Sequence, residues 1–424
     1  MRQTPTTRRW LAATAAALLT ITTWDATSAE QSASYVSLFD ALWSTADKNF
    51  YDPGFLGHDW KAIGERFRAK LGTVHTDKEF ERFADSMLDQ LGASHLYVIA
   101  PRSSTASTVG IGVKFRDLEG KYLVSFVDPL SDARRAGLRI GDQLISPKAD
   151  LSGVPGSIAN LEIGRCDGAV RTLHVRREGS LWPPVHPGFA WHSIRASPER
   201  TIGYLRVTRF DDGAAPLIDQ AMEELKDTDG LIIDVRGNSG GNFSAARLVS
   251  YFSGPAQIVV ALLSRPYLEK LGHPVTKIDI QKAPRVTGAY TTASIFAAIS
   301  KNGGGAVFMT EDVGKKEYTK PVVVLMDHET GSAGEAFASM MKRMTHAALV
   351  GQETAGVLLS GNEFDLPDGW KLVVPVDGLW APDGTDFRDR PALPSIAVHW
   401  TRADMCSDRD PDLEKALALL EVTR

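Results

Sequence analysis

Apolar residues recur at helical spacing through the first part of the chain. Tyr35, Leu38, Phe39, Leu42, Trp43 and Ala46 form one stripe and predict a helix across Tyr35–Phe50. A second helix fits Asp59–Leu71. A third is bounded at both ends: Thr76 with Glu79 has the capping-box pattern, Phe80, Phe83, Met87, Leu88 and Leu91 make the apolar stripe, and Gly92 stops it. Ser94-His95 therefore sits just past a helix end, at the mouth of a strand-like Leu96–Ile99.

The period then changes. After the polar stretch Pro101–Thr108, short alternating strands such as Tyr122–Phe126 are divided by turns at Glu119-Gly120 and Gly141-Asp142. Pro183, Pro184 and Pro187 mark a second boundary. Beyond it the pattern is strand–helix–strand: a strand at Ile202–Val207, a helix carrying Leu217, Ile218, Ala221, Met222 and Leu225, and buried strands at Leu231–Val235 and Val322–Met326. A helix follows Ser332, and another is expected over Asp412–Leu420. Residues 265–320, with Gly303-Gly304-Gly305, show broken patterns that predict no element, and no internal repeat is present. The chain is thus expected to be multidomain α+β: a helical region over 30–100, a β-rich domain over 105–180 and an α/β catalytic domain over 185–424.

Residues 1–29 stand apart. Arg8 and Arg9 precede an apolar run from Trp10 to Ile21, and Thr27 and Ala29 supply the small residues of a signal-peptidase site. The run is too short to span a bilayer comfortably, so export to the periplasm or medium, with no membrane span after cleavage, is expected. Across 424 residues, 43% hydrophobic and 23% charged content describes an ordinary globular protein, and a net charge of −5 gives no support for nucleic-acid binding. Cys166 and Cys406 are the two cysteines; they can pair in an exported protein, but sequence logic does not join them. No ligand cluster accompanies them, so neither a metal nor a cofactor is expected.

Three segments carry candidate chemistry. Ser332, in Thr330-Gly331-Ser332-Ala333-Gly334-Glu335, lies where a buried strand hands over to a helix. Ser332-x-x-Glu335 also fits a capping box, which is the plainer reading. A nucleophile gains from the same place, because a helix N-terminus favours negative charge and the N–H of Ala333 can face a carbonyl under attack. His95, one of ten histidines, is the candidate base, with the Ser94 hydroxyl able to hold one ring nitrogen; His328, four residues before Ser332, is its rival. Asp234-Val235-Arg236-Gly237-Asn238-Ser239-Gly240-Gly241 is a tight turn in which Gly240 or Gly241 can give a second oxyanion N–H. A phosphate loop is set aside because no G-K-[ST] follows, and a small-ester esterase because no G-x-S-x-G elbow surrounds Ser332.

Taken in order, these segments resemble the tricorn-core and C-terminal-processing serine peptidases over nearly all of the mature chain. The matches are Leu91–His95, Gly110-Ile111-Gly112-Val113 with Ala136-Gly137-Leu138-x-x-Gly141-Asp142, the Asp234–Gly241 turn, Ser332–Glu335 and the G-x-x-T-x-G of Gly351–Gly356. The resemblance implies a PDZ-like domain over 105–180 and a catalytic domain resembling the ClpP/crotonase-like fold. It implies Ser332 as nucleophile, His95 as base, Ser94 orienting His95, and Gly110–Val113 binding peptide. The processing branch places a lysine where this chain has Val357, so the Ser–His type of the tricorn-like branch is expected. That branch anchors its orienting serine with a late glutamate; Arg388 falls there, and Asp386 or Asp389 can substitute. The expected activity is that of a tail-specific or tricorn-like endopeptidase acting on a peptide or protein substrate held by its C-terminus. The alternative is a catalytically weak or silent binding protein for peptides or lipophilic ligands on the same fold. Oligomeric state is not legible.

Overall fold

The computed structural model describes residues 34–101, 109–128, 130–178, 188–314, 317–345, 347–388, 390–407 and 409–422. The expected leader, most of the linker after Pro101, the boundary at Pro183, Pro184 and Pro187, and Asp389 lie outside the described residues. The chain forms two compact units. The first comprises the chain to Pro101 together with Ser264–Gly272 and Leu359–Gly378, and the second holds the remainder.

In the first unit, helices run over 34–49, Trp60–Arg68 and Asp77–Leu88. Asp59 caps the second by accepting the Ala62 N–H (2.9 Å), and Thr76 caps the third by accepting the Glu79 N–H (3.3 Å). Their apolar stripes meet through aromatic pairs, among them Tyr35 on Phe80 (5.4 Å between centroids) and Phe80 on Trp370 (5.1 Å). Gly64 admits Trp43, since a Cβ there would meet the indole nitrogen at 2.2 Å. Gly92, with φ +60°, ends the helical segment in the left-handed conformation expected of a stop. The strand Tyr97–Ile99 follows and pairs antiparallel with Lys371–Val373, and Ser360–Asp365 pairs antiparallel with Lys371–Asp377.

The second unit contains a five-stranded antiparallel sheet in the order Val113–Leu118, Lys121–Val127, Gln143–Leu144, Ile158–Gly164 and Val170–Arg176. Its first hairpin turns at Glu119 and Gly120, both at positive φ (53° and 73°), which matches the twist of the flanking strands. A separate core of Val124, Leu138, Leu161 and Val175 fills this module.

The larger part of the second unit is a six-stranded sheet in the order Ile396–Ala397, Ala348–Gly351, Val322–Met326, Gly230–Asp234, Arg200–Val207 and Phe189–Ser197. Phe189–Ser197 runs antiparallel to its neighbour and the other ladders are parallel. Helices cover both faces, which is why the central strands read as continuous apolar runs. Ala214–Leu225, Ser244–Val249 and Ala333–Thr345 lie over one core, and Pro411–Val422 buries Ala416 and Leu420 against Ile232, Val323 and Val350 on the other face.

Residues 265–320, for which the sequence predicts no element, contain helices Arg265–Leu271, Lys277–Lys282 and Thr292–Lys301 and the strand Gly305–Met309. Cys166 and Cys406 form a disulfide that ties the five-stranded module to the segment before the last helix. Arg402 reinforces that tie, donating to the carbonyls of Gly164 (2.6 Å), Arg165 (2.9 Å) and Gly141 (3.2 Å). Among the described residues no helix is long and apolar enough to cross a membrane.

Candidate active site

Ser332 stands between the strand Val322–Met326 and the helix Ala333–Thr345 with φ +50°, a left-handed conformation that costs an L-residue about 1–2 kcal/mol. The capping box permitted by the sequence does not form. The Glu335 N–H goes to the Gly331 carbonyl (3.4 Å), and the Ser332 N–H goes to the Val357 carbonyl (3.1 Å). The Glu335 carboxylate turns instead to the G-x-x-T-x-G segment, accepting the Gly356 N–H (2.6 Å) and the Thr354 hydroxyl. The strained serine is thus left half-buried, without the capping bond that would explain it.

The turn after the strand Gly230–Asp234 is locked against this elbow. Asn238 is fully buried; its amide donates to the Val207 carbonyl (3.0 Å) and its backbone carbonyl accepts the Gly331 N–H (2.9 Å). Asp327 fastens the two turns together, accepting the Gly237 N–H (2.9 Å). A Cβ built on Gly240 would lie 2.5 Å from Ser332 Cβ, 2.9 Å from its Oγ and 3.3 Å from the Ala333 nitrogen, so these three groups converge. Gly240 donates its N–H to Asn238 Oδ1 (2.8 Å), which commits one of the two candidate oxyanion donors to the turn. Gly241, at φ +134°, packs on Phe210, whose carbonyl oxygen would stand 1.7 Å from a Cβ.

Beneath the turn lies a charge network. Burial alone would raise the Asp234 carboxyl, but Arg236 and then Arg206 hold it below the usual range, and the Arg236 guanidinium also binds Asp410 (2.8 Å) and Asp412 (3.1 Å). Burial, and then the adjacent Asp234 carboxylate, push the Tyr204 hydroxyl up to about 12.

In the first unit, Ser94 Oγ lies 3.1 Å from His95 Nδ1, and both residues are half-buried. His95 is also held at positive φ (56°). A Cβ on Gly361 would come within 2.9 Å of His95 Cβ, so the strand Ser360–Asp365 approaches the histidine where only glycine fits.

Residues 201–398 match the family model for peptidase family S41, and residues 31–89 match that of the tricorn protease C1 domain. Over residues 201–398 the chain is thus similar to peptidase family S41, a family of serine-type peptidases. It is 24% identical over 423 residues to tricorn protease homolog 1 of Streptomyces coelicolor, covering 92% of this chain and 35% of that protein. It is 24% identical over 395 residues to the chloroplastic C-terminal processing peptidase of Tetradesmus obliquus, covering 85% and 76%. This chain spans about a third of the length of the tricorn homologs it matches. The photosystem II D1 C-terminal processing protease superposes with a TM-score of 0.53 at 20% identity, covering 91% of this chain and 97% of that one. The tricorn protease superposes at 0.51 and 17%, covering 91% and 36%. These superpositions establish a shared mixed α/β fold.

The other candidate residues have defined surroundings. His328 is exposed, with Nδ1 3.0 Å from Gln352 Oε1. Val357 touches the elbow directly: its Cγ2 would meet a Gly331 Cβ at 3.0 Å. The Asp386 carboxylate accepts the Arg388 N–H (2.7 Å) and pairs with the Arg388 guanidinium (3.4 Å). In Gly110–Val113, Ile111 is buried and Gly112, at φ +71°, accepts the Asp128 N–H on its carbonyl (2.9 Å). Asp327, which joins the two turns, was not anticipated. Its signal was a lone carboxylate at the end of the apolar run Val322–Met326.

Proposed function

We propose that this chain is an exported serine endopeptidase, tail-specific or tricorn-like, that cleaves peptide or protein substrates through an acyl-enzyme on Ser332. The observation that carries this reading is the left-handed Ser332, packed against Gly240 and the Ala333 nitrogen without a capping bond to account for its strain. Ser332 Oγ attacks the scissile carbonyl while His95 takes its proton. With Nδ1–H donated to Ser94, His95 Nε2 is the basic nitrogen. The N–H groups of Ala333 and Gly241, with Gly240 if its bond to Asn238 is released, stabilise the oxyanion. Collapse expels the amine, which receives the proton from His95, and water then hydrolyses the ester by the same route in reverse.

The five-stranded module is proposed as the PDZ-like domain, over 105–180, and the six-stranded layer as the core of a ClpP/crotonase-like catalytic domain. Val113–Leu118 ends its sheet, which supports addition of a peptide as a further strand beside Gly110–Val113. The Cys166–Cys406 disulfide supports export to an oxidising compartment after removal of residues 1–29. Fluorophosphonate labelling of the mature protein, with Ser332→Ala and His95→Ala alongside, tests the proposal. Labelling that requires both residues is expected; peptide hydrolysis that survives Ser332→Ala would overturn it.

A further inference from the structure

We infer that Arg209 binds a carboxylate of the substrate; the inference rests on the peptidase reading and adds a specificity to it. A cleft of about 1070 Å³ in the second unit is lined on one side by Arg116 and Phe126 of the five-stranded module. On the other it is lined by Thr208, Arg209, Gly237 and Ser239. Ser239 precedes Gly240, so the cleft leads to the turn that packs on Ser332. Five further cations lie on its wall and each has a carboxylate within ion-pair distance: Lys114 with Glu329, Arg116 with Asp327, Arg206 and Arg236 with Asp234, and Arg409 with Glu414. Arg209 is exposed and has no ion-pair partner among the described residues. The nearby Asp211 is occupied in its own turn, accepting the Gly213 N–H (3.0 Å).

The backbone of Arg209 is fixed by its neighbour. Phe210 is fully buried, donates its N–H to the Gly240 carbonyl (3.0 Å) and accepts the Asn242 N–H (2.6 Å). Arg209 is therefore carried at a set distance from the oxyanion turn while its side chain stays accessible. A guanidinium so placed matches a carboxylate by a two-pronged, charge-assisted hydrogen bond. That carboxylate can come from the substrate's C-terminus or from an Asp or Glu side chain.

The test measures binding of fluorescent peptide libraries to the Ser332→Ala protein, so that it does not depend on turnover. The libraries differ only in a free or amidated C-terminus and in Glu or Gln at the randomised acidic positions. Loss of the carboxylate is expected to weaken binding about tenfold, Arg209→Gln to abolish that preference, and Arg209→Glu to reverse it. Loss on amidation alone assigns the terminal carboxylate, and loss on Glu-to-Gln exchange alone assigns a side chain. Equal preferences in Arg209 and Arg209→Gln proteins would overturn the inference. Absence of fluorophosphonate labelling of Ser332 in the wild-type protein would count against the peptidase reading alone.

Discussion

Gly240 leaves its side-chain space to Ser332: a methyl group on the glycine would lie 2.5 Å from the serine Cβ. The glycine also holds φ +112°, which an L-side chain rarely adopts. Gly240→Ala must therefore displace either the Asp234–Gly241 turn or Ser332. Misplacement by about an ångström costs on the order of 100-fold in rate. We expect a fall of at least that size in fluorophosphonate labelling, with about 1–3 kcal/mol lost in stability from backbone strain. Gly254→Ala, where nothing stands within 4 Å, is the matched control and should be neutral. Wild-type labelling by Gly240→Ala would mean that this turn is not part of the reactive site.

Ser332 itself makes a separate prediction. Its φ of +50° is costly for serine and for alanine but free for glycine. Ser332→Gly should be more stable than Ser332→Ala by about 1 kcal/mol, although glycine gains more entropy on unfolding. Urea midpoints of the two variants decide the matter. A less stable glycine variant would remove the strain on which the functional reading leans.

The bridge between Cys166 and Cys406 closes a loop with a sequence separation of 240, and Gly141 makes room for it, since a Cβ there would lie 2.7 Å from Cys406 Sγ. Constraint of so long a loop is worth roughly 2–5 kcal/mol. Cys166 is exposed, so the bond is open to thiol reagents. Excess dithiothreitol should lower the melting temperature of the wild type, while the Cys166→Ser/Cys406→Ser double variant should start at that lower value and not respond. Equal melting temperatures with and without reductant would show that Arg402 and its carbonyl partners hold the module unaided.

Local chemistry was legible in the sequence where it repeats or caps: the helical stripe ending at Gly92, the glycine turn at Glu119-Gly120, and the apolar run Val322–Met326 appear where their patterns place them. The Ser332-x-x-Glu335 pattern misled, because Gly331 offers its carbonyl to Glu335 and frees the carboxylate for Gly356. Between 265 and 320 the signals were present but short. Thr276 with Asp279 and Thr291 with Ser294 are full capping boxes on helices whose apolar faces are too brief to stand out. Long-range pairings had no local signal at all. Nothing near Ser360 or Lys371 marks these strands as neighbours of Tyr97–Ile99, and nothing near Cys166 points to Cys406.

Asp377 gives the first unit a pH dependence. It is 2% exposed on the strand Lys371–Trp380, opposite Ser360, whose neighbour Gly361 approaches His95. Burial pushes its carboxyl from an ordinary 3.8 up to about 7. Between those values the folded chain keeps a proton that the unfolded chain has released. Stability therefore falls as pH rises through that window and levels off above about 7. Each pH unit across the window removes about 1.4 kcal/mol, so the loss amounts to roughly 4 kcal/mol. Asp377→Asn keeps the shape without the ionisation. It should be about as stable as wild type near pH 4 and more stable at pH 8, with a flatter slope between. Urea midpoints of both proteins across that range, followed by circular dichroism, measure the difference. Parallel slopes would mean that Asp377 is ionised in the folded chain and that another group solvates it.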